Sequence, residues 1–176
     1  MTTEIYWIPG PWQGRLAVVM RPRGGDWLED EVAAWRRAGI DAVVSMLEPE
    51  EASQLGLASE GEAAAQQGIR FLALPTPDRD VPGSMAEVQA LFHEVTGELA
   101  AGRSVAVHCR QGIGRSGLIA IGALVAAGLD LDVAIETVSA ARGLPVPETE
   151  SQSQWLREFQ KLNLSASCTT RQLSPF

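Results

Sequence analysis

The sequence predicts an α/β domain with a mostly parallel central sheet flanked by helices on both faces. Short apolar runs of strand length alternate with segments whose apolar residues recur at helical spacing. After the last of these runs, the remaining segments all have the helical pattern. This alternation is typical of parallel sheets that are covered by helices. The chain has 176 residues, 45% of them hydrophobic, so a single domain can bury a substantial core.

Five apolar runs predict the strands of this sheet. The first two, at residues 5–8 and 16–20, flank a Pro-Gly-Pro turn and predict a lead-in hairpin or meander. The other three lie at residues 41–47, 69–74 and 104–108, with helical segments between them. Ligands bind at the carboxyl ends of the strands in parallel sheets, so the loops that follow these runs are candidate site loops.

Capping signals predict where the helices begin and end. Four of the segments with apolar residues at helical spacing are preceded by a polar residue at the expected N-cap position. These residues are Asp26, Ser84, Asp130 and Thr149. Glycine closes three of the stripes, at Gly39, Gly102 and Gly143. Residues 48–67 predict two short helices, and residues 118–127 are apolar nearly all round, which predicts a buried helix.

The last helical stripe ends at Leu162. Residues 163–176 are rich in Ser and Thr and have no apolar periodicity, which predicts a mobile C-terminal tail. We therefore expect one domain over residues 1–162 and a tail over residues 163–176.

Composition narrows the possible partners. A net charge of −8 disfavours nucleic acids and anionic membranes, because both bind basic surfaces. The sequence has no apolar run of membrane-spanning length and no signal-peptide pattern, so we expect a cytoplasmic protein, and a monomer. It has two Cys and two His, without the spacing of a zinc site, so we expect neither metal nor cofactor.

Residues 104–127 read as a strand, a short loop and a buried helix, and this stretch dominates the functional prediction. A loop that leads into a helix presents unpaired N–H groups and the positive end of the helix dipole, which together bind anions. Cys109 stands at the start of this loop and Arg115 at its end. Gly112 and Gly114 allow the backbone to close around an anion and to adopt positive φ.

The residue types in this loop suit nucleophilic attack on phosphorus. Loop amides, the helix dipole and Arg115 favour the thiolate of Cys109, and the planar guanidinium suits phosphoryl oxygens. The hydroxyl of Ser116 can stabilise the departing thiolate, and we expect His108 to orient the loop from the other face of the strand. The residues expected to bind phosphate are Arg110, Gln111, Gly112, Ile113, Gly114 and Arg115.

A second loop, rich in proline, follows the strand at 69–74. Its prolines exclude a helix and shape the chain over residues 75–83. Asp78 in this loop lies after a parallel strand, as Cys109 does, so we expect both at the same sheet edge.

The two loops resemble those of the cysteine-dependent protein tyrosine and dual-specificity phosphatases. Residues 108–116 resemble the signature loop, and residues 76–82 resemble the mobile acid loop, in which Thr76 replaces a Trp and Asp80 replaces a Gly. Similarity extends from about Leu16 to Phe159, includes Arg142, and is greatest to bacterial phosphatases of the kinase-associated type. The segment 148–152 resembles a Gln-Thr-x-x-Gln motif whose first Gln is replaced here by Glu148.

This resemblance implies a protein tyrosine phosphatase-like fold and a two-step reaction on phosphotyrosine in a protein or peptide, with phosphoserine and phosphothreonine as further substrates. Cys109 attacks phosphorus while Asp78 protonates the leaving oxygen. Asp78 then activates the water that hydrolyses the cysteinyl-phosphate. Asp80 is the rival acid, and Gln152 matches the second Gln of the motif.

Other functions use similar chemistry. A sulfurtransferase or an arsenate reductase also holds a thiolate in an anion loop, but Arg115, Ser116 and the Pro-Asp loop favour a phosphatase. A phosphatase of non-protein esters, such as phosphoinositides or RNA 5′-triphosphates, and a non-catalytic phosphoprotein-binding module are further alternatives. Arg110 either contacts a second anion or is solvated, and Cys168 either forms a disulfide with oxidised Cys109 or stays unpaired.

Overall fold

A computed structural model describes the backbone of residues 4–171 and the side chains of residues 4–164. Its centre is a five-stranded sheet in the order β1-β2-β5-β3-β4, in which only β1 and β2 are antiparallel. The strands are β1 Ile5–Ile8, β2 Leu16–Met20, β3 Ala42–Ser45, β4 Arg70–Ala73 and β5 Val105–Cys109. The predicted α/β class and mostly parallel sheet are confirmed.

Seven α-helices lie within the described residues, and a 3₁₀ turn at Gly25–Trp27 precedes the first. They are α1 Leu28–Arg37, α2 Pro49–Gln54, α3 Glu60–Gln66, α4 Met85–Ala100, α5 Gly114–Ala126, α6 Leu131–Arg142 and α7 Glu150–Arg171. None of these helices has both the length and the apolarity that crossing a membrane requires.

The sheet separates two apolar cores, and the central strand β5 contributes to both. Val105, Val107 and Cys109 face the larger core, which contains most of α5 and the inner faces of α4, α6 and α7. Ala106 faces the smaller core beneath α1 and α3. Because side chains alternate along a strand, Cys109 lies on the α5 side and His108 on the opposite side.

Three of the four predicted caps are present. Ser84 Oγ accepts from the Glu87 amide at 3.3 Å, and the carboxylate of Asp130 accepts from the Asp132 amide at 2.9 Å. Thr149 Oγ1 accepts from the amide of Gln152 at 3.2 Å.

The prediction for Asp26 is wrong, because this residue lies inside the 3₁₀ turn that precedes α1. Trp27 occupies the N-cap position of α1, and no side chain caps that helix. The capping-box spacing predicts that α1 begins with a regular α-helical turn. In the structure, Gly25, with a φ of +62°, instead begins a tighter 3₁₀ turn ahead of the helix.

Helix α7 is longer than the sequence predicts, since it continues past Leu162 to Arg171. Asn163 Nδ2 donates to the Val125 carbonyl at 3.1 Å, which holds the helix against the end of α5 where the apolar stripe has already ended. Residues 172–176 lie outside the described residues, and the mobility of the predicted tail stays a prediction.

Two glycines in helices provide a matched test of this packing. A Cβ on Gly122 of α5 would lie 2.3 Å from Phe92 Cζ, whereas a Cβ on Gly97 of α4 meets nothing within 4 Å. We expect Gly122→Ala to lower the free energy of unfolding by about 1–3 kcal/mol because the buried ring must shift. We expect Gly97→Ala to raise it by about 0.5–1 kcal/mol because alanine favours the helix. Urea unfolding measures both, and equal effects of the two changes would contradict this packing.

Candidate active site

The loop after β5 turns sharply beneath its neighbour β2. Cys109 is the last residue of β5 and is buried. Gly112 has a φ of +66°, and a Cβ there would lie 2.5 Å from the carbonyl oxygen of Val19. Both observations require glycine at this position, so the turn depends on Gly112 for its conformation and for its close approach to β2.

Cys109 and Ser116 face each other across the loop. The distance from Cys109 Sγ to Ser116 Oγ is 3.4 Å, and Ser116 is fully buried in the first turn of α5. Helix α5 begins at Gly114, at the end of the loop, so its free N–H groups and the positive end of its dipole are directed at the loop. This arrangement stabilises negative charge near Sγ.

Arg115 is buried at the base of the site, and its guanidinium has partners from two segments, helix α2 and the loop after β4. Its two terminal nitrogens donate to the two oxygens of Glu51 at 2.8 and 3.0 Å. Arg115 Nη1 also donates to the Thr76 carbonyl at 2.9 Å, and Nη2 lies 3.1 Å from Asp78 Oδ1. A bidentate carboxylate fixes the plane of the guanidinium as well as its position.

These contacts keep both partners charged. Burial opposes the charge of Arg115, but its hydrogen bond to Glu51 and the charges of Cys109, Glu51 and Asp78 outweigh the effect of burial and raise the pKa of the guanidinium. The hydrogen bond from Arg115, opposed by burial, lowers the pKa of Glu51 below its ordinary value of 4.5. The guanidinium is therefore a permanent cation at neutral pH.

Glu51 is a functional residue that the sequence analysis missed. It lies in the short helix α2, within an Ala-, Glu- and Gln-rich segment that reads as a solvated surface. The one available signal is its place soon after β3, because the carboxyl ends of parallel strands share one sheet edge.

A small cavity of about 110 Å³ opens above Cys109. It is lined by Asp78, Arg79, Cys109, Arg110, Gln111, Gly114, Arg115 and Glu148. A larger groove of about 570 Å³ between α4 and α7 has no cysteine, arginine or carboxylate in its wall. We place the site at the smaller cavity because the reactive groups converge there.

The acid loop brings Asp78, and not Asp80, into this cavity. The Asp80 amide donates to the Pro77 carbonyl at 3.1 Å and closes a turn in which Arg79 has a φ of +62°. The Asp80 carboxylate accepts from the Val81 amide at 2.9 Å and does not line the cavity. The geometry therefore favours Asp78 over its rival as the acid.

Two predicted phosphate-binding residues, Gly112 and Ile113, are in the loop but do not line the cavity. The Gly112 carbonyl accepts from Arg142 Nε at 2.6 Å, and the buried Arg142 guanidinium lies 3.7 Å above the ring of Tyr6. Arg142 thus supports the loop from behind. Gly114 does not have the positive φ that the sequence suggested, because it begins helix α5.

His108 lies beneath the loop, on the face of the sheet opposite Cys109. Its Nδ1 is 3.3 Å from the Cys109 carbonyl oxygen, and its Nε2 is 2.8 Å from Glu60 Oε1. Both side chains are almost completely buried, and the contact with Glu60 is close without the alignment of a regular hydrogen bond. Glu60 is a second residue beside the site that the sequence analysis missed.

Gln152 connects the start of α7 to the acid loop. Its Oε1 accepts from the Glu148 amide at 3.1 Å, and its Nε2 donates to the Asp80 carbonyl at 3.3 Å. Gln152 is fully buried and does not line the cavity, whereas Glu148 does.

Two further predictions concern the pairing of Cys168 and metal binding. The side chain of Cys168 lies outside the described residues, so its pairing with Cys109 stays a prediction. Among residues 4–164, whose side chains are described, no three His, Cys, Asp or Glu residues are grouped as metal ligands.

Fold and site together define the class of tyrosine and dual-specificity phosphatases. Residues 17–129 match the family described as "Polymorphic toxin system, DSP-PTPase phosphatase", and the chain belongs to that family. The chain is accordingly a protein phosphatase that acts on a phosphorylated substrate. No curated protein sequence matches it.

Solved structures show the same fold. Kinase associated phosphatase, with its catalytic-site cysteine substituted by serine, is similar with a TM-score of 0.82 and 20% identity, over 93% of this chain and 97% of that one. A glycine-to-alanine mutant of Tk-PTP is similar with a TM-score of 0.70 and 30% identity, over 84% of this chain and 91% of that one. PTPMT1 in complex with PI(5)P has a TM-score of 0.74 and 21% identity, over 92% and 99% of the two chains.

Glu51→Gln should lower stability, because the buried Arg115 loses its bidentate carboxylate. Breaking a buried pair in this way costs about 3 kcal/mol at neutral pH. The folded-state pKa of Glu51 lies below its ordinary value of 4.5, so its stabilisation is fully present above pH 4.5 and disappears as the pH falls through the folded-state pKa. Urea unfolding from pH 7 to pH 3 should show the difference between wild type and variant shrinking in acid.

Glu50→Gln is the matched control, because Glu50 is the exposed neighbour on the same helix. We expect the control to unfold like the wild type across this pH range. A pH-independent effect of Glu51→Gln, or an equal effect of both changes, would contradict the assigned role of the ion pair.

Proposed function

We propose that the cavity above Cys109 hydrolyses phosphate monoesters on proteins, with Cys109 as the nucleophile. The observation that carries this proposal is that Cys109, Arg115 and Asp78 line one small cavity although they come from two separate loops. The cavity thus combines a nucleophile, an anion-binding cation and a proton donor, which is the set that phosphoryl transfer to a side chain requires.

In the first step, the Cys109 thiolate attacks phosphorus and the bond from phosphorus to the ester oxygen breaks. Asp78 gives its proton to that oxygen, which leaves as an alcohol or phenol. Arg115 and the N–H groups of the loop residues that line the cavity, Arg110, Gln111 and Gly114, hold the remaining phosphoryl oxygens. Arg115 is suited to this role because Glu51 already fixes the guanidinium plane, so little reorganisation is needed when phosphate binds.

In the second step, water attacks the phosphorus of the cysteinyl-phosphate, the ionised Asp78 carboxylate accepts one water proton, and the phosphorus–sulfur bond breaks. The electron pair of that bond returns to Sγ. The Ser116 hydroxyl, 3.4 Å from Sγ, donates a hydrogen bond to the thiolate as it leaves. His108 orients the loop through the Cys109 carbonyl, 3.3 Å from its Nδ1.

We infer that the substrate is phosphotyrosine in a protein, with phosphoserine and phosphothreonine as further substrates. The family description supports action within a polymorphic toxin system, and we propose that setting for this chain. A reduced active-site thiol is maintained most readily in the cytoplasm, which supports that compartment. The net charge of −8 supports a monomer that binds neither nucleic acid nor anionic membrane.

Cys109→Ser should abolish turnover and retain anion binding. A hydroxyl without an adjacent base is a poor nucleophile, so we expect kcat on p-nitrophenyl phosphate to fall on the order of 10⁴-fold or more. Arg115 and the loop amides remain, so titration calorimetry should give a dissociation constant for inorganic phosphate within a few-fold of wild type. Cys168→Ser is the control and should turn over normally, whereas substantial activity in Cys109→Ser would exclude the covalent mechanism.

Asp78→Asn should slow the enzyme in a way that depends on the leaving group. General acid catalysis contributes about 10²–10⁴-fold, and it matters most when the departing oxygen is strongly basic. We therefore expect kcat on a phosphotyrosine peptide to fall about 10²-fold and kcat on an activated aryl phosphate to fall much less. If Asp80→Asn shows this dependence and Asp78→Asn does not, the acid has been assigned to the wrong residue.

A further inference from the structure

Two arginine side chains, those of Arg79 and Arg110, line the cavity without a role in the mechanism above. Arg79 belongs to the acid loop and Arg110 to the loop after β5, so the two site loops each contribute one of them. Both residues are exposed, whereas Arg115 is buried at the base of the site. The cavity therefore has one guanidinium at its floor and two at its mouth.

The guanidinium groups at the mouth lack the close carboxylate partners that other exposed arginines have. Arg157, for example, lies 2.6 Å from Glu150. Among residues 4–164, none makes an ion pair or a hydrogen bond with the guanidinium of Arg79. Arg110 Nη1 lies 3.8 Å from Glu51 Oε1, which is beyond hydrogen-bond distance, and both oxygens of Glu51 already accept from Arg115. In a protein with a net charge of −8, two such cations at one opening are available to a ligand.

The backbone of Arg79 is strained. Its φ of +62° is the one positive φ among the non-glycine residues that the structure describes. The Asp80 amide, which donates to the Pro77 carbonyl at 3.1 Å, closes the turn that holds this conformation. Glycine would adopt it at less cost, because the strain comes from the Cβ. Strain of this kind is characteristic of binding and catalytic sites, so the presence of Arg at this position points to a role for its side chain.

The two carboxylates of the cavity do not neutralise these arginines. Asp78 lies 3.1 Å from Arg115 Nη2, and Glu148 packs on Gly114, where a Cβ would lie 2.2 Å from its Oε2. Neither carboxylate lies within 4 Å of a guanidinium nitrogen at the mouth. When a phosphate monoester occupies the floor, Arg115 and the loop amides bind its oxygens, and the two outer guanidinium groups remain for a further anion.

We propose that Arg79 and Arg110 bind a second anionic group of the phosphoprotein, next to its phosphotyrosine, and thereby determine substrate preference. The proposal rests on the proposed function. A peptide whose phosphotyrosine reaches Cys109 must cross the mouth of the cavity, where long arginine side chains can contact its flanking residues. A guanidinium binds carboxylate and phosphate oxygens in the same forked geometry, so the second anion is an Asp or Glu side chain or a second phosphate.

Matched phosphotyrosine peptides test this preference. Two peptides share one sequence, with Glu on both sides of the phosphotyrosine in the first and Gln in the second. We expect the wild type to have a kcat/KM about 3–10-fold higher on the Glu peptide, because each exposed ion pair contributes a small factor. The ratio should shrink at high ionic strength, since salt screens exposed charges. The absorbance of the tyrosine released measures both rates.

A double variant, Arg79→Asn with Arg110→Gln, should hydrolyse the two peptides equally well. Asn tolerates a positive φ, so the turn of the acid loop is retained. The ratio of the two kcat/KM values cancels any change in the chemical step that both peptides share. Arg37→Gln is the control, because Arg37 is exposed at the end of α1, which leads to the amino end of β3. The control loses a charge far from the cavity and should keep the wild-type ratio.

A third peptide, with phosphoserine beside the phosphotyrosine, identifies the source of the anion. A higher kcat/KM for this peptide than for the Glu peptide would assign the outer arginines to a second phosphate. An equal or lower value would assign them to a carboxylate. In either case the preference should disappear in the double variant.

Three results would overturn this role for the outer arginines. One is an equal kcat/KM of the wild type on the Glu and Gln peptides, and another is a preference that persists in the double variant. The third is faster turnover of a soluble inositol phosphate than of any peptide, because the second anion would then belong to a non-protein ester. Failure of the proposed function is distinguishable, since the wild type and Arg37→Gln would then hydrolyse none of the peptides.

Discussion

The bidentate ion pair between Arg115 and Glu51 is the interaction on which the site depends. Arg115 belongs to the helix after β5, Glu51 to the helix after β3, and the carbonyl of Thr76, which also accepts from Arg115, to the loop after β4. These three strands are neighbours in the parallel part of the sheet. One buried side chain therefore cross-links the carboxyl ends of three strands, and the site cannot form until all three are in register.

The same ion pair limits how much positive potential Arg115 can supply to a bound phosphate in this acidic protein. The charges of Glu51 and Arg115 largely cancel, so positive potential at the loop must come from other groups as well. The free N–H groups at the start of α5 supply part of it. Arg142 lies behind the loop, and Arg79 and Arg110 line the cavity mouth. Phosphate binding thus depends on a local field, while the net charge of −8 belongs to the rest of the surface.

The sequence predicts those parts of the site whose residues are close together along the chain. A strand, a glycine loop and a helix place Cys109 and Ser116 by connectivity alone, and the prolines around Asp78 shape its loop. Glu51 and Glu60 were not predictable, because their partners lie more than 40 residues away and both sit in short helices of an Ala-, Glu- and Gln-rich segment. The N-cap predicted at Asp26 was wrong, because the ability of its side chain to accept a hydrogen bond does not determine whether the chain forms an α-helical or a 3₁₀ turn there.

The contact of Arg142 with the Gly112 carbonyl and with the ring of Tyr6 has a consequence for truncation of the chain. Tyr6 lies before the segment 17–129 that matches the family, and Arg142 lies after it. The stretch that defines membership therefore lacks two of the supports of its own phosphate loop. A fragment that keeps these supports must include at least β1 and the end of α6, so the edge strand and this late helix are parts of the catalytic unit.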